Sequence, residues 1–220
     1  MRQSIIDNTK AFQRFSDNAI SIFKSFNAPE SRHHKFEDTH MLCICPGGRA
    51  GGTTEGLIEI FWGRSMPYKS TRHIKPDFSI GEELLHETGG TLLYSMDEWG
   101  RVVVIVYPPE TKNTKPVDQG YLLDAYSDAT RLNDIKRLRR HWKYFNSLMQ
   151  VHSLFGAPNL IDKLRVFRMR YFKKKLQDNR IQNESAFVKG SKKRILYIGG
   201  IILTAIITAV VTTLITTCRH

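Results

Sequence analysis

The sequence predicts an α+β domain followed by one apolar C-terminal helix, and three observations lead to this fold class. Residues 4–26 place apolar side chains at helical spacing. Between them and residue 128, short apolar runs alternate with turns that contain glycine or proline, a pattern typical of antiparallel strands. Residues 129–194 hold eighteen Lys and Arg but four Asp and Glu, whereas residues 195–217 carry no charge.

These shifts in composition define the expected organisation of the chain. We expect a cytosolic α+β domain over residues 1–128, with an N-terminal helix and an antiparallel meander of about four strands. A basic helical hairpin (129–180), a linker (181–194), a transmembrane helix (195–217) and a three-residue tail (218–220) follow it. The 41% hydrophobic content excludes a chain that is mainly disordered.

The first element is predicted to be an amphipathic helix over residues 4–26. Its stripe has heptad-like spacing, which favours a face packed on the core; a short coiled coil between protomers is the alternative. Residues 27–39, which contain Pro29, are predicted to form a loop. The stripe comprises Ile5, Phe12, Phe15, Ala19, Ile22 and Phe26.

Two short strands, HMLCICPG and GLIEIFWG, are predicted on either side of a glycine-rich loop. This loop, GGRAGGTTEG, has the glycines to wrap an anion, and Arg49 adds a positive charge. It lacks the GK[ST] ending of a phosphate-binding P-loop and joins two strands. A flexible hairpin loop and an anion-binding loop therefore both remain open.

A long polar connection is predicted over residues 64–80. Its cations Arg64, Arg72, His73 and Lys75, together with Arg49, are the candidate site for a small anionic ligand. The next stretch, GEELLHETGG, is predicted to be a helical turn closed by Gly89 and Gly90. It has no metal-ligand spacing, and we find no metal site, no cofactor motif and no nucleophile–base pair anywhere in the sequence.

The run TLLYSMDEWGRVVVIVYPP is the clearest hairpin in the chain. Its second half, Val102 to Tyr107, is apolar at every position, which predicts a central strand covered on both faces.

Two basic helices are predicted next, over residues 127–155 and about 158–178. Their cations predict docking on anionic lipid headgroups; a solvated face is the alternative, and nucleic acid is disfavoured because no known binding motif is present. The predicted membrane-surface cations are Lys173, Lys174, Lys175, Lys192, Lys193 and Arg194. The buried stripes are Leu132, Ile135, Leu138, Trp142, Phe145, Met149 and His152 in the first helix, and Leu160, Leu164, Phe167 and Tyr171 in the second.

The uncharged segment 195–217 is long enough to cross a ~30 Å hydrocarbon core as a helix. Lysines and Arg194 precede it and only Arg219 follows, which predicts a single-pass, tail-anchored protein with its N-terminal domain in the cytoplasm. Small and hydroxyl-bearing residues fall on one side, which favours self-association into a homo-oligomer. The predicted helix interface comprises Gly200, Thr204, Ala205, Thr208, Ala209, Thr212 and Thr216.

The expected function is a non-enzymatic membrane effector that responds to a signal or a partner and assembles through its transmembrane helix, with pore formation as a further step. In layout it resembles membrane effectors of bacterial defence and stress systems, although no motif is shared. The alternatives are a membrane-anchored adaptor that recruits a cytosolic protein, and a membrane-tethered enzyme or anionic-ligand-binding protein.

Overall fold

A computed structural model describes residues 2–28, 34–74, 76–112, 116, 119–177 and 180–181. All of them belong to the first of the two compact units into which the chain divides, Met1–Gln182; the second unit is Asn183–His220.

The described residues form an α+β fold with three α-helices and eleven strands. The helices are α1 (Arg2–Phe26), α2 (Ile135–His152) and α3 (Leu160–Phe172). Short 3₁₀ helices occupy His34–Phe36 and Ala129–Asn133. The strands are β1 (Leu42–Pro46), β2 (Leu57–Trp62), β3 (Lys69–Ile74), β4 (Ile80–Leu85), β5 (Glu87–Thr88), β6 (Thr91–Met96), β7 (Val102–Tyr107), β8 (Glu110–Thr111), β9 (Gly120–Tyr126), β10 (Lys174–Gln177) and β11 (Arg180–Ile181).

The main sheet has seven antiparallel strands in the order β1-β2-β6-β7-β9-β10-β11. The predicted hairpin is confirmed, since β6 pairs with β7 from Thr91↔Tyr107 to Met96↔Val102. Strand β7 is the central strand, as expected, but its second face is only partly covered: Val103 and Tyr107 are half-buried. Two small sheets, β3-β4 and β5-β8, complete the fold.

The core lies between one face of the main sheet and helices α1 and α2. Helix α1 was expected to face the core, and its Phe12, Phe15 and Ala19 do so, joined by Phe23. Burial of this apolar surface is the main source of stability in such a layered fold. The sheet contributes Ile58, Ile60, Trp62, Leu92, Tyr94, Val102, Val104, Val106, Tyr121, Leu123 and Tyr126, and α2 contributes Leu138, Trp142, Phe145, Leu148 and Met149.

The predictions for residues 64–90 are wrong. The expected polar loop contains β3, and the expected helical turn contains β4 and β5, with β3 and β4 paired from Lys69↔Leu85 to Ile74↔Ile80. This hairpin is largely exposed, so its strands lack the alternation of apolar and polar residues by which a half-buried strand is recognised.

The ends of both basic helices also differ from the prediction. Helix α2 begins at Ile135 rather than near residue 127, because the Asp134 side chain accepts hydrogen bonds from the backbone N–H groups of Lys136 and Arg137. Helix α3 ends at Phe172, because Lys174 to Leu176 pair with β9. This pairing is a long-range contact that local helix propensity does not contain.

Helix α3 turns the opposite face to the core from the one expected. Its buried residues are Asp162, Val166 and Met169, whereas all four residues of the predicted apolar stripe are exposed. The predicted stripe of α2 is largely buried, but Ile135 is exposed at the first turn.

The predicted fold class included a transmembrane helix, and this part of the prediction is contradicted. Among the helices of the described residues, none has the length and apolar character needed to cross a membrane. The segment on which the prediction rested, 195–217, lies outside the described residues.

Candidate anion-binding site

The solvent-exposed face of α2 is strongly positive because four Lys and Arg residues lie on it. Lys136, Arg139, Arg140 and Lys143 recur at intervals of three and four residues, which places them on one side of a helix. Leu138 and Trp142, on the opposite side, are buried in the core. The cations therefore line the solvent side of α2.

A β-bulge in β9 brings a carboxylate to this face. Val104 pairs with Asp124 but Ile105 pairs with Leu122, so Leu123 is an extra residue in β9. Residues that pair across an antiparallel ladder point to the same side of the sheet. Asp124 therefore lies on the same side as Val104, which faces the helices.

Asp124 is the centre of a hydrogen-bonded network beneath the cationic face. Its Oδ2 atom accepts hydrogen bonds from the Tyr126 hydroxyl (2.6 Å), from Arg140 Nη2 (3.0 Å) and from His141 Nε2 (3.0 Å). The Tyr94 hydroxyl lies 3.0 Å from His141 Nδ1. With the His141 proton on Nε2, Tyr94 donates to Nδ1 and both ring nitrogens have a partner.

The environment fixes the charges of this network. Burial acts to raise the pKa of the Asp124 carboxyl, but hydrogen bonds from His141 and Tyr126 and the charge of Lys173 outweigh it, and the pKa falls well below its usual range. Burial lowers the pKa of His141 despite the nearby carboxylate. Burial and the hydrogen bond to Asp124 raise the pKa of Tyr126. At neutral pH, Asp124 is therefore charged while His141 and Tyr126 are neutral.

A depression of about 360 Å³ lies on this cationic face, between α2 and α3. Arg165 of α3 reaches it while donating to the Ser147 hydroxyl (3.2 Å), and Arg140 is held by Asp124. Its lining comprises Lys136, Arg139, Arg140, Lys143, Tyr144 and Arg165.

Three of these cations have no acidic counterpart in the described part of the chain. No carboxylate there lies within ion-pair distance of Lys136, Arg139 or Lys143. Arg139 instead stacks on the Phe26 ring, with its guanidinium carbon 5.3 Å from the ring centroid. The depression therefore has excess positive charge and can accept an anion.

Arg49, from the glycine-rich loop, already has partners for its guanidinium group. Its Nε atom lies 3.1 Å from Glu59 Oε2, its Nη2 donates to the Thr91 hydroxyl, and its guanidinium carbon lies 4.1 Å from the centroid of the Phe61 ring. Glu59 therefore neutralises it. Several of the loop's own N–H groups also have partners: Gly52 N–H donates to Gly48 O within the loop, and Arg49 N–H donates to Glu59 Oε2.

Arg64 and Arg72, two of the other predicted ligand-site cations, do not line the depression on α2 and α3. Arg64 lines a depression that it shares with Glu83 and Glu110. This depression adjoins the one that contains Arg49, since Thr88 and Glu110 line both. Arg72 lies on the exposed β3-β4 hairpin. Lys75 and the side chain of His73 are outside the described residues.

Three of the predicted membrane-surface lysines, Lys173 to Lys175, lie in or next to strand β10. Lys173 is half-buried, donates to the backbone carbonyl of Leu123, and lies 3.9 Å from Asp124 Oδ1. Lys174 and Lys175 belong to β10. Lys192, Lys193 and Arg194, and the predicted interface from Gly200 to Thr216, lie outside the described residues.

Buried Glu87 connects three separate parts of the chain through hydrogen bonds. Glu87 is buried, lies 3.2 Å from His40 Nε2, and accepts the N–H of Leu154 at 2.6 Å. His86 Nδ1 lies 3.0 Å from the Ser65 carbonyl. In the parts of the chain described, three or more His, Cys, Asp or Glu side chains are nowhere grouped as metal ligands.

Sequence reasoning identified the basic character of α2 but missed the depression. The spacing of Lys136, Arg140 and Lys143 was readable, whereas the contribution of Arg165 depends on how α3 packs. Comparisons with protein-family models, with curated proteins and with solved structures found no significant match.

Proposed function

We propose that this chain is a non-enzymatic binding protein whose cationic depression on α2 and α3 takes up a small anionic ligand with several phosphate oxygens. The observation that carries the proposal is the group of five cationic side chains around a depression of about 360 Å³, three of them without an acidic counterpart among the described residues. A volume of this order suits a small ligand rather than a single ion.

The chemistry of the lining favours phosphate. Arginine presents a planar fork of N–H donors that matches phosphate oxygens, and lysine adds point charge. Tyr144 supplies a hydroxyl. Asp124 and Ser147 keep Arg140 and Arg165 in place before a ligand arrives, which reduces the ordering cost of binding.

The function expected from the sequence had two parts, a response to a small anionic signal and assembly through a membrane-spanning helix, and only the first is proposed here. The proposal keeps the response to a small anionic signal, now at α2 and α3 rather than at Arg49, Arg64 and Arg72. It drops assembly through a membrane-spanning helix, because no described helix can cross a membrane.

Calorimetric titration of the full chain with inorganic triphosphate tests the proposal. We expect saturable binding that the double variant Lys136→Gln and Lys143→Gln weakens by about 10-fold or more, because charge-assisted hydrogen bonds contribute about 1.5–3 kcal/mol each. The matched control is Lys10→Gln with Lys24→Gln, which removes the same charge from exposed positions of α1.

The control should bind within about 2-fold of the original chain, since exposed charges elsewhere contribute little. Equal weakening in both variants would show that only net charge matters, and absence of saturable binding would refute the site.

A further inference from the structure

Helix α3 carries an apolar seam on the side that faces away from the core. Leu160 is 83% exposed, Leu164 67% and Phe167 52%, and Tyr171 is exposed as well. The buried residues Asp162, Val166 and Met169 lie on the opposite side of the same helix. Exposed apolar residues that form one contiguous stripe mark an interaction surface.

The spacing of this seam is that of a helix partner site. Leu160, Leu164, Phe167 and Tyr171 are separated by four, three and four residues, which is the a/d repeat of two heptads. Phe167 and Tyr171 already contact each other, with ring centroids 4.5 Å apart. The Asn159–Asp162 capping box fixes the start of the helix, so the seam is presented on a defined element.

The residues that flank the seam carry positive charge. Lys163 and Arg170 lie on one side of it and Arg168 on the other, and all three are exposed. In paired helices these flanking positions select the partner, because like charges there repel and opposite charges attract. A second copy of α3 would place lysine and arginine opposite each other.

The uncharged segment 195–217 of the same chain has no acidic residue to offer. Basic flanks beside an apolar stripe are also found in helices that lie on lipid surfaces. The two-heptad repeat favours a protein helix instead, because an a/d stripe is the narrow seam of paired helices, whereas a helix on a lipid surface buries a wider apolar face.

We propose that α3 docks an amphipathic helix of another protein, one with an apolar seam flanked by Asp or Glu. The site is separate from the cationic depression, whose cations come mainly from α2, and it makes the chain an adaptor as well as a ligand-binding protein.

The first test measures fluorescence anisotropy of a designed three-heptad peptide with Leu at a and d and Glu at e and g, titrated with the full chain. A peptide of the same seam with Lys at e and g is the control. We expect the acidic peptide to bind at least about 10-fold more tightly than the basic one. Equal binding of both peptides, or no binding of the acidic one, overturns the proposal.

Two double variants locate the site. Leu164→Gln with Phe167→Gln should weaken binding of the acidic peptide about 10-fold or more, because the seam loses its two central apolar residues. Lys163→Glu with Arg168→Glu should reverse the preference, so that the basic peptide binds better. All four positions are exposed, so the thermal midpoint should stay close to that of the original chain.

Other occupants give different results. A concentration-dependent dimer that the Leu164→Gln and Phe167→Gln variant abolishes would assign the seam to a second copy. Binding to vesicles with anionic lipid that the acidic peptide does not displace would assign it to a lipid surface. Either result overturns the proposal, and triphosphate titration of the uncharged Leu164→Gln and Phe167→Gln variant, expected to be unchanged, separates its failure from failure of the cationic depression.

Discussion

Asp124 shows how one residue can serve both the fold and the proposed site. It accepts hydrogen bonds from Tyr126, Arg140 and His141 and lies near Lys173, so it joins β9, α2 and the residue that follows α3. A half-buried carboxylate of this kind stabilises a fold because all of its hydrogen-bond partners are present, so neither the carboxylate nor its donors are left unsatisfied.

We expect Asp124→Asn to lower the free energy of unfolding by about 1–3 kcal/mol, because the charge-assisted hydrogen bonds become neutral ones. Urea unfolding measures the change. Asp7→Asn, at an exposed position of α1, should remain within about 0.5 kcal/mol of the original chain. An Asp124 variant as stable as this control would show that the network contributes nothing to stability.

His141 predicts how stability depends on pH. Burial lowers its pKa in the folded protein below the ordinary value of 6.5, so the unfolded chain binds the proton more readily. Stability from neutral His141 is therefore fully present above about pH 6.5 and is lost as the pH falls through the lower folded-state pKa.

Urea unfolding of the original chain and of His141→Gln between pH 7.5 and 5 measures this effect. We expect the free energy of unfolding to decrease more steeply with falling pH in the original chain, since the variant has lost the titrating ring. Parallel curves would show that His141 does not contribute to the pH dependence.

At the scale of elements, the sequence correctly predicted the helices and strands in which the apolar residues of the pattern are the residues that are buried. Helix α1 has the 3.6-residue apolar period, the β6-β7 hairpin has two apolar runs around a turn that contains glycine, and both formed as expected. Seven of the eleven strands were missed: β3, β4, β5, β8, β9, β10 and β11. Strands β3, β4 and β10 were missed because pairing, rather than apolar periodicity, defines them. Helix α3 was oriented wrongly because its exposed stripe is more apolar than its buried face, and burial cannot be read from a stripe alone.

The turn between β3 and β4 contains a backbone conformation that suits glycine. Phe78 has φ +60° and is 88% exposed. It therefore has the conformational cost of the left-handed region, and its ring makes few packing contacts that could offset this cost.

We expect Phe78→Gly to be about 1 kcal/mol more stable than Phe78→Ala, because only glycine adopts this region without a Cβ clash. Thermal or urea unfolding of the two variants makes the comparison. Since both substitutions remove the same exposed ring, a stability difference of zero or of opposite sign would mean that residue 78 does not hold this conformation.

At the scale of the whole molecule, the sequence revealed the charge asymmetry but not its geometry. Residues 129–194 hold eighteen Lys and Arg against four Asp and Glu, an excess larger than the net charge of +12 of the whole chain, and this excess alone predicts an anionic partner. The sequence could not show that Asp124 neutralises part of that charge, or that Arg165 joins the α2 cations across a depression. Both contacts join residues on different elements, and only the packed fold brings them together.

This asymmetry predicts that salt weakens ligand binding. Raising NaCl from about 0.05 to 0.5 M shortens the screening length and offers competing anions, so the affinity for triphosphate should fall several-fold or more. The Lys136→Gln and Lys143→Gln variant should lose less affinity over this range, because fewer fixed charges remain to be screened at the depression.

The Lys10→Gln and Lys24→Gln variant should follow the original chain. Calorimetric titration at four salt concentrations gives the slopes; equal slopes in all three proteins would mean that the anion senses the diffuse charge of the molecule and not the side chains of α2.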